Sequence, residues 1–289
     1  MTHIFATINL KGGVGKTTTS VALAETFSAV FSKRVLVIDL DPQTNATTML
    51  IGEERWEALN KQGRTLNWLF KSAHDPYTIP FQFDAVVQRD VSDVLPARSV
   101  ELLPASPDMM SIPETLYRGE FGLRNPYKLL ADALGERLKD YDVVIIDCPP
   151  TLGTITLNGV HLSDAYLIPT IPDVLSTYGI PQIERRVRMF AHEIGRAVEP
   201  LGIVVSKFRE QSITHRNGVR RLREETLAKT ALPVFETVIP ERDALSAAPE
   251  YLDSGRTLRQ KYGDAAERFR ALATEILDRL DAGPQRKAA

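Results

Sequence analysis

Eight consecutive residues near the start of the chain, 11-KGGVGKTT-18, bring together three glycines, two lysines and two threonines. Glycine reaches backbone angles closed to other residues, so the successive N–H groups of such a loop can turn inward onto phosphate oxygens. Gly12, Gly13 and Gly15 have that freedom, Val14 rides within the loop, and Lys16 puts a charge where outer phosphates would lie. Thr17 supplies a hydroxyl suited to Mg²⁺, and Thr18 follows it into the first turn of a helix whose positive end adds to the site. The run departs from G-x-x-x-x-G-K-[ST] and reads as K-G-G-x-G-K-[ST]. Lys11 is the additional charge. The loop wraps away from it, so it is either a solvated lysine or a group that reaches across a dimer interface to a partner's ATP.

Three carboxylates complete the chemistry. They lie in 38-IDLDPQ-43 and 143-VVIIDCPP-150. Ligands of open α/β sheets bind at the C-terminal ends of strands, where both segments place their aspartates. Asp147 reads as the carboxylate that holds Mg²⁺ through its water shell. Asp39 and Asp41 are two apart, which strand periodicity puts on one side. One of Asp39 and Asp41 is expected to assist the metal and the other to orient the attacking water. A lone aspartate of this kind is more often a helix cap or a turn residue. Cys148 reads as packing, and His3, His74, His161, His192 and His215 are scattered without metal-ligand spacing.

Such residues need a scaffold of strands ending in loops. Seven apolar runs read as buried strands: 3–9, 34–40, 100–105, 141–147, 165–170, 201–205 and 234–239. Helical patterns fall at 17–30 and 126–139 and around Arg186, Leu222 and Arg270. This alternation predicts an α/β, doubly wound, mostly parallel sheet with helices on both faces, a P-loop NTPase. Residues 1–283 read as one ATPase domain, 52–99 as an irregular insertion within it, and 284–289 as a disordered tail.

With 289 residues and 43% hydrophobic content the chain can bury a large core. A net charge of −2 excludes a globally basic nucleic-acid binder but leaves room for a local basic face. A single cysteine excludes an internal disulfide or a cysteine cluster for zinc or iron–sulfur. The chain carries neither a signal-peptide pattern nor an apolar run of spanning length, so a cytoplasmic protein is expected.

The chain resembles the deviant Walker-A ATPases of the ParA/MinD class, most closely the ParA branch. The likeness rests on 11-KGGVGKTT-18, 36-LVIDLDPQTNAT-47, 141-YDVVIIDCPPTLGTITLN-158, 165-AYLIPTIPDVLSTYGI-180 and 237-TVIPERDALSAAPEY-251. The resemblance implies a Mg²⁺-dependent ATP hydrolase that forms an ATP-sandwich homodimer, with Lys11 on the other subunit's nucleotide. It also implies Thr17 as metal ligand, Asp147 in the Walker-B role, Asp41 in the water-positioning switch and Pro240 near the adenine. The family usually has Gln, Gly and Asn where Leu10, Thr44 and Ser206 stand here. The adenine contact of that Asn is not carried over to Ser206.

ParA-type proteins bind DNA non-specifically as ATP dimers and release it when a ParB-like partner stimulates hydrolysis. The implied role is chromosome segregation or plasmid partition, with the protein associated with the nucleoid. The segment 207–229 holds Arg209, Arg216, Arg220, Arg221 and Arg223, offset by Glu210, Glu224 and Glu225. Arg216, Arg220 and Arg223 have i, i+4, i+7 spacing, so they form either a DNA-binding face or a solvated, salt-bridged one. The alternative is a MinD-like or other cargo-positioning ATPase, serving a carboxysome or a chemoreceptor cluster through membrane or protein contacts. No membrane partner is expected, because the apolar stripe Phe269, Leu272, Ile276 and Leu280 fits a helix docked on its own core. Iron–sulfur relatives of the fold need a cysteine pair. The first strand begins at about residue 3, so no helix-turn-helix and no site-specific DNA recognition are expected.

Overall fold

Each of the apolar runs becomes a strand of one sheet, because continuous Val, Ile and Leu are stable only where both sheet faces are covered. The computed structural model describes residues 1–74, 77–111, 125–227 and 232–282. Its strands are β1 (His3–Thr7), β2 (Val35–Asp39), β3 (Val100–Leu103), β4 (Val143–Asp147), β5 (Ala165–Thr170), β6 (Glu199–Phe208) and β7 (Val234–Pro240). They form a seven-stranded sheet in the order β3-β2-β4-β1-β5-β6-β7. Every pair in it is parallel. The expected α/β doubly wound fold is therefore present.

The α-helices are α1 (Lys16–Phe31), α2 (Asn45–Ile51), α3 (Glu53–Lys61), α4 (Leu66–His74), α5 (Phe83–Val86), α6 (Leu129–Leu134), α7 (Thr154–Leu162), α8 (Val174–Thr177), α9 (Ile180–Glu193), α10 (Ile213–Leu227), α11 (Asp243–Ala247), α12 (Leu258–Tyr262) and α13 (Ala265–Asp281). One sheet face is covered by α4, α6, α7 and α9 and the other by α1, α2, α12 and α13, giving two apolar cores. Phe269, Leu272 and Ile276 of α13 are buried in the second core, as the apolar spacing of that helix predicts. Among the described residues no helix is long and apolar enough to cross a membrane.

Two elements differ from their sequence signals. The helix expected over 126–139 stops at Leu134, and Arg137–Asp140 forms a 3₁₀ turn after Gly135. Glycine in a helix interior costs about 1 kcal/mol relative to Ala, which makes it a place to break. β6 runs longer than its apolar core of 201–205 because it is paired on both sides, by β5 and β7. Residues 52–99 contribute α3, α4 and α5 and are tied back by isolated bridges from Gln88 to Leu102 and from Val94 to Arg256. The tail 284–289 lies outside the described residues.

Candidate active site

β1 is the central strand, and the glycine loop leaves its C-terminal end directly into α1. Gly13 and Gly15 adopt φ of 74° and 81°, a region where a β-carbon is strained. A Cβ added at Gly12 or Gly13 would meet no atom within 4 Å, so the loop is open on the side a ligand would occupy. No side chain caps the start of α1, and its first turn holds no acidic residue. Its N–H groups are thus left for an anion, and the helix dipole favours one there. On the underside the Ser206 hydroxyl donates to the Val14 carbonyl at 2.6 Å. The serine therefore clasps the loop itself, a role its sequence position did not disclose.

Sheet register brings the carboxylates together: Asp147 on β4 lies opposite Asp39 on β2 and Thr7 on β1. The Thr17 hydroxyl donates to Asp147 Oδ2 at 2.8 Å and the Ser20 hydroxyl to Oδ1 at 2.8 Å. A hydroxyl and a carboxylate at the mouth of a phosphate loop are hard oxygen donors of the kind Mg²⁺ takes when phosphates and waters supply the rest. Asp39 accepts from the Thr47 hydroxyl at 2.7 Å, the Thr47 amide at 2.9 Å and the Asp41 amide at 3.0 Å. It therefore fixes the turn into α2 while lying next to Asp147. β2 ends at Asp39, so Asp41 is beyond the strand and its position is set by this turn rather than by strand periodicity. Asp41 Oδ1 accepts from the Gln43 amide at 3.0 Å.

Lys16 is buried beside these acids. Burial lowers its pKa, against the attraction of Asp147, Asp41 and Cys148. Burial and then the neighbouring Asp147 push Asp39 up to about 8. Burial pushes Asp147 up to about 6, although Thr17, Ser20 and Lys16 oppose it. A carboxyl whose pKa is raised on folding binds more protons folded than unfolded. Its contribution to stability is full below about pH 4, its unfolded range, and is lost as pH rises through the folded values. The nucleotide-free protein is accordingly expected to lose stability between about pH 4 and pH 8 through this pair, and added Mg²⁺ with ADP is expected to flatten that slope. Urea midpoints measured across the range check it.

Thr44, where the family usually has glycine, ends the turn after Asp41 with φ 60°. This conformation costs a β-branched residue about 1–2 kcal/mol. Glycine's greater freedom in the unfolded chain returns part of that. Thr44→Gly is expected to raise unfolding free energy by about 0.5–1 kcal/mol in denaturant titration.

An open cleft of about 670 Å³ lies at the ends of β6 and β7, lined by Phe208, Arg209, Glu210, Gln211, Ser212, Glu241 and Arg242. Pro240 closes β7 opposite Phe208 and is buried at the edge of this cleft. Lys11 points elsewhere. Its ammonium donates to the Ser176 hydroxyl at 2.8 Å and lies 3.7 Å from the Asp173 carboxylate. Among the arginines, Arg216, Arg220 and Arg223 share a groove on α10 with Phe208 and Val219. Arg221 turns away to the Thr177 hydroxyl at 3.3 Å, and Arg209 pairs with Glu241. Arg220 and Arg223 lie within 4 Å of Glu224 and Glu236, and Arg216 donates to the Glu210 carbonyl.

Sequence reading missed a buried ionic cluster. Lys261 of α12 donates to Glu25 of α1 and to Asp93 at 2.7 Å each, with all three side chains fully buried. Arg256 lies 2.7 Å from Asp93, and Ser92 and Tyr262 donate to Glu25. The cluster anchors the helix that carries Lys16 and Thr17 to the C-terminal segment. Glu25 at a buried position of α1 was its only trace in the sequence.

Residues 2–199 match the AAA domain family. The chain is 30% identical over 280 residues to the chromosome-partitioning ATPase Soj of Thermus thermophilus, covering 95% of each. It is 31% identical over 252 residues to the sporulation initiation inhibitor protein Soj of Bacillus subtilis, covering 87% of this chain and 89% of that one. Among solved structures, cobyrinic acid a,c-diamide synthase of Mycobacterium smegmatis with bound ADP and magnesium superposes with a TM-score of 0.75 at 25% identity, covering 98% of this chain and 97% of that one.

Proposed function

This chain belongs to the ParA-type partition ATPases of the AAA domain family, and from that premise we propose that it drives partition through an ATP-sandwich homodimer bound to DNA. As an ATPase it uses ATP and Mg²⁺. The observation that carries the site is the uncapped start of α1 with Thr17 hydrogen-bonded to Asp147. In this reading residues 1–283 act as one domain. Gly12, Gly13, Val14, Gly15, Lys16, Thr17 and Thr18 hold the phosphates, and Thr17 and Asp147 hold Mg²⁺ with Asp39 beside them. Bound Mg²⁺ neutralises charge on the phosphates. Asp41 orients the attacking water, Pro240 borders the base, and Lys11 reaches the partner's ATP.

Arg216, Arg220 and Arg223 form the DNA face, doubled in the dimer, and Arg209 and Arg221 stand at its margins. Their intramolecular partners are exposed pairs that exchange at little cost, so phosphates can replace them. A ParB-like partner stimulates hydrolysis, and hydrolysis releases DNA. The test is binding to a duplex of arbitrary sequence with ATP, ADP or no nucleotide at two salt concentrations, for wild type and Asp41→Ala. ATP-dependent, salt-sensitive binding that persists longer in the variant supports the proposal. ATP dimers that ignore DNA refute it and favour a membrane or protein cargo. Arg220→Glu with Arg223→Glu is expected to weaken DNA binding at least about tenfold and to flatten its salt dependence, with dimerisation intact.

A further inference from the structure

Lys11 commits its side chain to the segment after β5, away from the carboxylates that Thr17 and Lys16 face. Its backbone amide donates to Asn9 Oδ1 at 2.9 Å, and Asn9 Nδ2 in turn donates to the Pro169 carbonyl at 2.8 Å, near the end of β5. Its ammonium then lands on the segment that follows β5. Asp173 caps α8 there by accepting from the Ser176 amide at 2.6 Å, and its other oxygen accepts from the Ser176 hydroxyl at 3.0 Å. The same hydroxyl accepts from Lys11 at 2.8 Å, so lysine, serine and aspartate close a ring. The Lys11 side chain is 41% exposed, so this is a contact that solvent can compete with and not a permanent one.

α8 also touches α10. Thr177 accepts from Arg221 at 3.3 Å. α10 approaches Pro172 so closely that a Cβ on Gly218 would lie 2.1 Å from the Pro172 carbonyl. Outward, α8 presents Val174 and Leu175 at 62% and 80% exposure, and Tyr178, which ends it, is 75% exposed. A short helix with so little buried surface of its own is held by its cap and by these two contacts, so it can shift at little cost.

We infer that Asp173 is a positioning residue that, with Ser176, latches Lys11 inside its own subunit, and that releasing Lys11 shifts α8 and with it α10. The inference rests on the reading that Lys11 serves the partner's ATP. A lysine cannot occupy both sites, so dimerisation must first break the latch, and the energy of the latch sets the ATP concentration at which dimers form. Its release frees Asp173 and Ser176 together, and Pro172 and Thr177 carry the displacement to the arginine-bearing helix.

Asp173→Asn tests this on the full chain, because Asn preserves the cap and removes the charge. The ATP concentration for half-maximal dimerisation, read by light scattering, is expected to fall about two- to fivefold. Affinity of the monomer for ADP should stay unchanged, and Asp173→Glu should restore the wild-type midpoint. Hydrogen exchange of α10 amides without nucleotide should shift toward the pattern of the ATP dimer. An unchanged midpoint overturns the latch, and a shifted midpoint with unmoved α10 exchange overturns the relay. Lys11→Gln separates the premise: if it still dimerises with ATP, the reading of Lys11 in trans fails, whereas lost dimerisation with an unmoved Asp173→Asn midpoint sinks the latch alone.

Discussion

Lys16→Ala is expected to lower ATP turnover at least about 100-fold, the loss seen when one preorganised charge aimed at a reacting group is removed. The cation is fully placed before any ligand arrives: it is 6% exposed, and its ammonium donates to the Lys11 carbonyl at 3.3 Å across the loop. In a buried site its field is screened far less than in water, so it acts most on charge that develops at the outer phosphates. Folding should survive the substitution, because burial disfavours the lysine's charge while Asp147 and Asp41 favour it. Steady-state hydrolysis and circular dichroism on the same sample check both parts. A turnover within tenfold of wild type would remove Lys16 from the catalytic role.

The second large effect lies further along α1, at Glu25. Lys261→Ala leaves Glu25 and Asp93 buried without their shared cation, and breaking a buried ionic group in this way costs about 3–5 kcal/mol. For a protein of this size, with an unfolding entropy of about 0.6 kcal/mol/K, that is a fall in Tm of roughly 5–8 °C. Combining Lys261→Met with Glu25→Gln is expected to recover part of the loss, because the neutral amide no longer needs a counter-ion. Thermal unfolding of the wild type and the two variants checks both statements. The effect should reach the nucleotide site too, since the helix that Glu25 anchors begins with Lys16 and Thr17.

Much of the site was legible because its chemistry is local in sequence. Gly13 and Gly15 do adopt positive φ, and the helix after them starts where the lysine and threonine are needed. Asp147 ends an apolar strand, and parallel register then puts it beside Asp39 without further information. The likeness of 36-LVIDLDPQTNAT-47 to the family was legible too, but the strand argument for Asp41 was not sufficient. β2 ends at Asp39, two residues too early for periodicity to place Asp41, and backbone donors to Asp39 hold the turn that follows.

The arginines mark the limit of spacing arguments. Helical period placed Arg216, Arg220 and Arg223 on one groove, yet it says nothing of what stands opposite. Arg221 faces Thr177, and Arg209 is drawn to Glu241 across the β6–β7 edge, because those partners come from distant strands and loops. Ser206 is a similar case. Its hydroxyl meets the Val14 carbonyl from a position 192 residues away, a contact no pattern in the chain announces.

What the sequence by itself determined was the class of chemistry and the sheet that carries it. Phosphate loops, strand-end aspartates and buried apolar runs are each specified by neighbours a few residues apart. Only the tertiary structure decided which charges meet: Lys11 with Asp173, and Lys261 with Glu25 and Asp93. Those meetings depend on how helices dock on the two sheet faces, and docking is set by the packing of surfaces whose residues lie far apart in the chain.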